Sequence, residues 1–196
     1  MNDVPAPWPE VMTDLGLEFG YRSLMLPFAI VRHLVSIGVP APFVAQLTGA
    51  GDLARARIAL GDHGMFDWDG DTIALLLAVR DQGAVIDVCA VRSSEPEEWH
   101  LLNGEGWLLG DEWLHAAQIG TVSRLRLFGN PFEWLRGAGA GICLLDWSRE
   151  AIGALRSLGD GVTLTCDDDG AAERLRQILT WGGLPVVAAH KGQIAA

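Results

Sequence analysis

The stretch GICLLDWSREAIGALRSLGDGVTLTCDDDG, residues 141–170, decides how the second half of the chain is read. GICLLDW and GVTLTC are short apolar runs bounded by Gly and Asp, the pattern of buried strands. Between them SREAIGALRSLG has helical spacing, with Ser148 as N-cap and Gly159 as the stop. The alternation continues on both sides. VSRLRLF before it reads as a strand. NPFEWLRGAG reads as a helix with Asn130 as N-cap, Pro131 at the first helical position and Glu133 completing a capping box. DDGAAERLRQILTWGG reads as a helix and LPVVAAH as a last strand. A β-α-β-α-β-α-β order of this kind predicts a parallel sheet with helices on its faces.

Further upstream, IALLLAVRDQGAVIDVCAVR is two β-prone runs around Asp81-Gln82-Gly83, a predicted hairpin. EWHLLN is a third strand candidate. GDEWLHAAQIG is a helix with Asp111 as N-cap and Gly120 as stop. The first 20 residues carry three prolines and read as a loose lead-in. From Tyr21 to about Gly51 the pattern is helical, with Pro27 in a first turn or at a kink. APFVAQLTG and DLARARIALG read as two further short helices ended by Gly. The predicted fold is therefore α/β. A mostly parallel sheet carries helices on both faces, preceded by an N-terminal helical segment (1–65) and a β-hairpin that opens the second unit (66–196).

Composition narrows the function classes. With 49% hydrophobic residues among 196, the chain has material for a sizeable core. Its formal net charge of -11 argues against a broad nucleic-acid-binding face, since phosphate affinity needs clustered Lys and Arg. Cys89, Cys143 and Cys166 are widely spaced and read as buried free thiols of a cytoplasmic protein. No signal-peptide pattern or membrane span is predicted.

Ligands of open parallel sheets bind beyond the carboxyl ends of the strands. Two predicted strands end there in carboxylates. One delivers Asp146, with Glu150 a turn into the next helix; the other delivers Asp167, Asp168 and Asp169. If those strands are neighbours, the carboxylates converge on a site suited to Mg²⁺. Helix capping is the alternative, since acidic residues in a first turn gain roughly 0.3–1 kcal/mol each from the helix dipole. It explains one or two of the three Asp without a metal.

The order strand, acidic residue, helix, strand, Asp-x-Asp, Gly, helix resembles a Toprim domain, the catalytic fold of DnaG-type primases, topoisomerases and related nucleases. The upstream segment LLLAVRDQGAVIDVCAV with WHLLNGEGWLLG is similar to what precedes that domain in primase-like proteins of phages and mobile elements. The resemblance spans roughly residues 72–190. In that family the first strand ends in a Glu-Gly pair, the glutamate acting as general acid or base, and the Asp-x-Asp pair holds Mg²⁺. Carried over, Asp146 falls on the glutamate and Trp147 on the glycine. Asp167 and Asp169 match the metal pair, and Gly170 the small residue after it. Asp146 and Glu150 are thus the expected catalytic residues. Trp147 and Lys191 are the expected nucleic-acid contacts, the indole by stacking.

The resemblance implies a protein of nucleic-acid metabolism, in priming or strand processing, with Mg²⁺ as cofactor. Its partners would be nucleic acid and a helicase or primase subunit. The alternative is a catalytically inactive Toprim-like binding or assembly protein acting through a protein partner. Other motifs carry less. DWDGD (67–71) lacks the glycine position and the twelfth-position acid of a calcium loop and reads as a polar turn. GAGAG (137–141) precedes a strand and reads as a flexible connection.

Overall fold

A computed structural model of the chain describes Pro5 and residues 11–24, 26–167, 169–180 and 186–189. Ten strands divide between two sheets. The first contains β1 (Leu53–Leu60), β2 (Phe66–Trp68), β3 (Thr72–Asp81), β4 (Ala84–Arg92) and β5 (Glu95–Leu101), in the order β2-β1-β3-β4-β5. Every pairing in it is antiparallel. The second contains β6 (Leu108–Leu109), β7 (Arg124–Phe128), β8 (Ile142–Leu144), β9 (Thr163–Cys166) and β10 (Val186–Ala189), in the order β10-β9-β7-β8-β6. Here β8, β7, β9 and β10 run parallel, and β6 pairs antiparallel with β8. The expectation of one mostly parallel sheet is corrected on this point. The β-α-β alternation holds for residues 122–189, but half of the strands belong to a separate antiparallel sheet.

The largest local departure is residues 53–60. Leu, Ala and Arg are strong helix formers, and LARARIAL reads as a helix on propensity. Its burial instead alternates with period two. Ala54 and Ile58 are buried, and Arg55 and Arg57 are exposed. Pairing with both β2 and β3 makes β1 an interior strand and overrides propensity. The helical lead is also cut differently. α1 (Asp14–Ser23) starts at a Thr13 cap inside the predicted loose segment, and Pro27 caps α2 (Phe28–Ser36) rather than kinking one long helix. α3 (Ala41–Ala50) follows as expected.

The remaining helices are α4 (Asp111–Gln118), α5 (Pro131–Arg136), α6 (Arg149–Arg156) and α7 (Asp169–Leu179). Their placement follows from handedness. The step from β7 to β8 runs one way across the sheet, and the steps from β8 to β9 and from β9 to β10 run the other. Right-handed crossovers therefore put α5 on one face and α6 and α7 on the opposite face. The cores agree. Leu155 and Leu175 pack with Leu125, Leu144 and Leu164 on the α6–α7 side. On the α5 side Phe128, Phe132, Trp134 and Leu145 join Leu77, Val79 and Val91 of the first sheet. The first sheet's other face packs Phe19 of α1 against Ile58, Leu76 and Val88. Burial of both its faces explains why β3 and β4 read as near-continuous apolar runs. All three cysteines are free and buried, and burial pushes the Cys89 and Cys143 thiols upward.

GAGAG is not a loose connection. Gly139 and Gly141 have φ of +65° and +143°. A Cβ on Gly139 would lie 2.6 Å from the Phe43 ring, and one on Gly141 would lie 2.4 Å from the Arg126 carbonyl oxygen. The glycines let the backbone pass close to both.

Asp87 joins the two sheets. It is fully buried in β4. Its Oδ1 accepts the N–H groups of Val88 (2.7 Å), Leu102 (3.0 Å) and Asn103 (2.9 Å). Its Oδ2 accepts those of Glu105 and Gly106, both at 2.8 Å. Residues 102–106 are the link from β5 to β6, so one carboxylate organises the passage between sheets. Asp87→Ala strands those donors away from water and is expected to cost on the order of 3–5 kcal/mol in urea denaturation. Asp87→Asn, which turns an NH₂ towards N–H donors, is expected to recover little of that. A wild-type midpoint in either variant would contradict the assignment.

Candidate functional site

The carboxyl edge of the second sheet holds the residues expected to carry chemistry. β8 leads directly into Asp146 and Trp147, both exposed, Trp147 to 41%. Ser148 caps α6 by accepting the Ala151 N–H at 3.3 Å, and Glu150 is exposed in the first turn. β9 leads into Asp167, and Asp169 opens α7 with its side chain in solvent. Asp168 and Lys191, like His190, lie outside the described residues.

The strands bearing Asp146 and Asp167 are not neighbours. β7 lies between them. Two strand spacings separate the strand ends by roughly 10 Å, so Asp146 is not delivered beside Asp167 by adjacent strand ends. The neighbour of β9 is β7, and it supplies a cation. Arg126 donates to Asp167 Oδ1 from Nε at 3.0 Å and from Nη2 at 2.7 Å. The same guanidinium sits 4.3 Å over the ring of Phe128. Leu127 pairs with Cys166 in register, so Phe128-Gly129 is the turn that comes level with Asp167. Phe128 itself is buried, 2% exposed. Beyond it, Asn130 is buried. Its Oδ1 caps α5 by accepting the Glu133 N–H at 2.9 Å, and its Nδ2 donates to Glu97 of β5 at 2.9 Å.

The described residues do not fit a Mg²⁺ site at this edge. Asp167 Oδ1 already accepts two N–H groups from Arg126. Among the described residues no group of three or more His, Cys, Asp and Glu is arranged to hold an ion. Asp169 is accounted for by the N-terminus of α7, which favours negative charge.

A second cluster, which sequence reading missed, lies where α4 meets the first sheet. A cavity of about 240 Å³ is walled by Phe43, Leu77 and Trp134 and edged by Asp52, Arg80, Asp111 and Glu112. Asp111 is the first residue of α4, whose N-cap is Gly110 rather than Asp111 itself. Asp111 Oδ2 accepts the backbone N–H of Gln82 in the β3–β4 turn at 2.9 Å. Arg80 is paired with Asp52 at 2.7 Å and donates to the Gly83 carbonyl. Burial first, then the charge of Asp111 and a hydrogen bond to it, pushes the Glu112 carboxyl from 4.5 to about 7, against the lowering effect of a backbone N–H. Burial likewise raises Asp111, with the Glu112 and Gln82 hydrogen bonds opposing. Glu112 therefore keeps its proton up to about 7, beside an Asp111 carboxyl that burial also raises. The sequence carried one signal, two adjacent acids opening a helix. Its reading as capping was reasonable because the partners lie about 30 and 60 residues upstream.

Two measurements check this geometry. In a double-mutant cycle, Arg126→Met and Asp167→Asn should each lose roughly 1 kcal/mol, and the double variant should lose little more than either. Additive losses would show that the pair does not interact. For Glu112, the native chain keeps a proton that the unfolded chain releases between pH 4.5 and about 7. Stability from this group is thus complete below pH 4.5 and is lost as the pH rises through about 7. Thermal melts should fall across that window by an amount equivalent to roughly 1–3 kcal/mol, and Glu112→Gln should flatten the profile. A wild-type Tm that holds or rises across it would contradict the shift.

No protein-family model, no curated protein and no solved structure matches this chain, so its functional reading rests on the geometry of these two clusters.

Proposed function

We propose that the chain is a catalytically inactive, Toprim-like binding or assembly protein of nucleic-acid metabolism that acts through a protein partner. The Toprim-like part of this reading is the four parallel strands β8, β7, β9 and β10. The observation behind the reading is the pairing of Arg126 with Asp167 beside Phe128-Gly129. Nucleotidyl transfer needs a metal held by carboxylates and a proton-transfer group within about 2.6–3.2 Å of the reacting atom. At this edge a guanidinium engages Asp167, and Asp146, the expected acid, ends a strand that β7 separates from it. The edge retains an exposed indole, Trp147, between Asp146 and Glu150 at the strand-to-helix junction that Ser148 caps. Exposed Trp residues anchor protein interfaces, and the surrounding negative charge suits a basic partner.

Two experiments test this. Millimolar Mg²⁺ or Mn²⁺ should leave the Tm of the full chain unchanged, and the chain should neither extend nor cleave primed or single-stranded DNA. Metal-dependent stabilisation that Asp167→Asn abolishes, or metal-dependent turnover, would overturn the inactive reading. In co-purification with helicase and primase subunits, Trp147→Ala should lose the complex while keeping the parental Tm. Retention of the complex would remove Trp147 from the interface.

A further inference from the structure

β1 sets two arginines side by side on one face of the first sheet. Arg55 and Arg57 are two residues apart in the strand, so their side chains point the same way, and both are exposed. Arg55 pairs in register with Leu75 of β3, and Arg57 with Ile73. The preceding pair on that face, Leu53 with Leu77, is buried in the core shared by the two sheets, whereas Ile73 is 47% exposed. The face is thus covered at one end and open at the other. Between its open end and α2 lies a cavity of about 100 Å³. Ile30, Leu34, Leu75, Val91 and Phe132 give it apolar walls. Arg55, Ile73, His33 and Ser93 are its exposed lining residues and form its mouth.

The charge at this mouth is opposite to that of the chain. In a protein of net charge -11, Arg55, Arg57 and His33 make no ion pair among the described residues. Arg92, which also lines the cavity, is already held by Glu95 and, at 3.6 Å, by Glu98. Asp67, opposite Ala59, stands at the far end of the same face. Exposed apolar surface rimmed by polar groups marks a binding surface, and the size of the cavity says for what. Ligand pockets run to roughly 300–1,000 Å³. This cavity matches a single apolar side chain. A nucleic acid asks for a longer track of cations and for exposed rings to stack on, and the one ring lining the cavity, Phe132, is 2% exposed.

We propose that this face docks an acidic segment of a partner protein, which seats one leucine-sized side chain in the cavity and lays carboxylates on Arg55 and Arg57. The overall negative charge of the chain repels such a segment elsewhere, so the two free guanidiniums decide where it lands. The cavity supplies the anchor, since a side chain buried in a fitted pocket carries much of an interface's energy. The proposal stands on the first sheet and does not depend on the reading of the edge near Trp147.

Methyl NMR of the intact chain, titrated at low salt with short synthetic peptides, tests it. A peptide rich in Asp and Glu around one central Leu should shift the methyls of Ile30, Leu34, Ile73, Leu75 and Val91. Those of Leu144, Leu155 and Leu164 in the core of the second sheet should stay in place. Exchanging the peptide's Leu for Ser should weaken binding about tenfold, and so should Arg55→Glu or Arg57→Glu in a chain of parental Tm. Arg124→Glu, exposed on β7, should leave binding unchanged. If one β1 variant fails to fold, the other decides. No shift of these methyls overturns the proposal, as does binding that ignores both the Ser exchange and the β1 variants. An oligothymidylate that moves the same methyls as strongly would make the face a nucleic-acid contact. Concentration-dependent shifts without peptide would make it an interface between copies of this chain. Either result overturns the acidic segment as occupant.

Discussion

Everything in this fold depends on how the antiparallel sheet hands the chain to the parallel one, and a single carboxylate controls that step. Asp87 lies in the middle of β4 with both faces of its sheet covered, a place where an unanswered charge would be prohibitive. It is tolerated because five backbone N–H groups surround it, four of them from the link between β5 and β6. Those donors would be as costly as the carboxylate if left alone. Each satisfies the other, so the link has one low-energy path. β6 then enters the second sheet beside β8, and α4 arrives against the hairpin of the first.

The order of strands in the second sheet decides what its carboxyl edge can do. Had β8 and β9 been adjacent, Asp146 and Asp167 would face each other, and a metal would be the natural answer to their repulsion. β7 comes between and brings Arg126, so the charge of Asp167 is answered by a guanidinium inside the protein. At the seam near α4 the surplus charge is answered by a proton instead. In a chain with a net charge of -11, these are two distinct solutions to one electrostatic problem. The first fixes the edge in one state. The second leaves the Glu112 carboxyl raised by burial to about 7.

Much of the local structure was legible from residues 122–189 alone. Asn130 and Ser148 cap their helices as read, although Glu133 accepts the N–H of Gly129 and not that of Asn130, and the strands at 142–144 and 163–166 lie where short apolar runs between turn residues placed them. The hairpin around Gln82-Gly83 was equally clear, because its turn chemistry is local. LARARIAL was misread because propensity and period disagreed. Burial against β3 and β2 settled the conflict, and burial depends on distant chain.

By itself, then, the sequence determined the helices from α5 onward, the caps at Asn130 and Ser148, the Gln82-Gly83 turn, the buried thiols and the βαβ alternation, all of which follow from spacing and side-chain chemistry within about ten residues. Only the tertiary structure decided that there are two sheets, that β7 separates β8 from β9, and that Arg126 meets Asp167. It alone brought Asp111 and Glu112 to the tip of a hairpin about 30 residues upstream. The physical reason is the same in each case. Strand order and charge pairing are settled by contacts between segments far apart in the chain, and no local periodicity encodes which strand lies beside which.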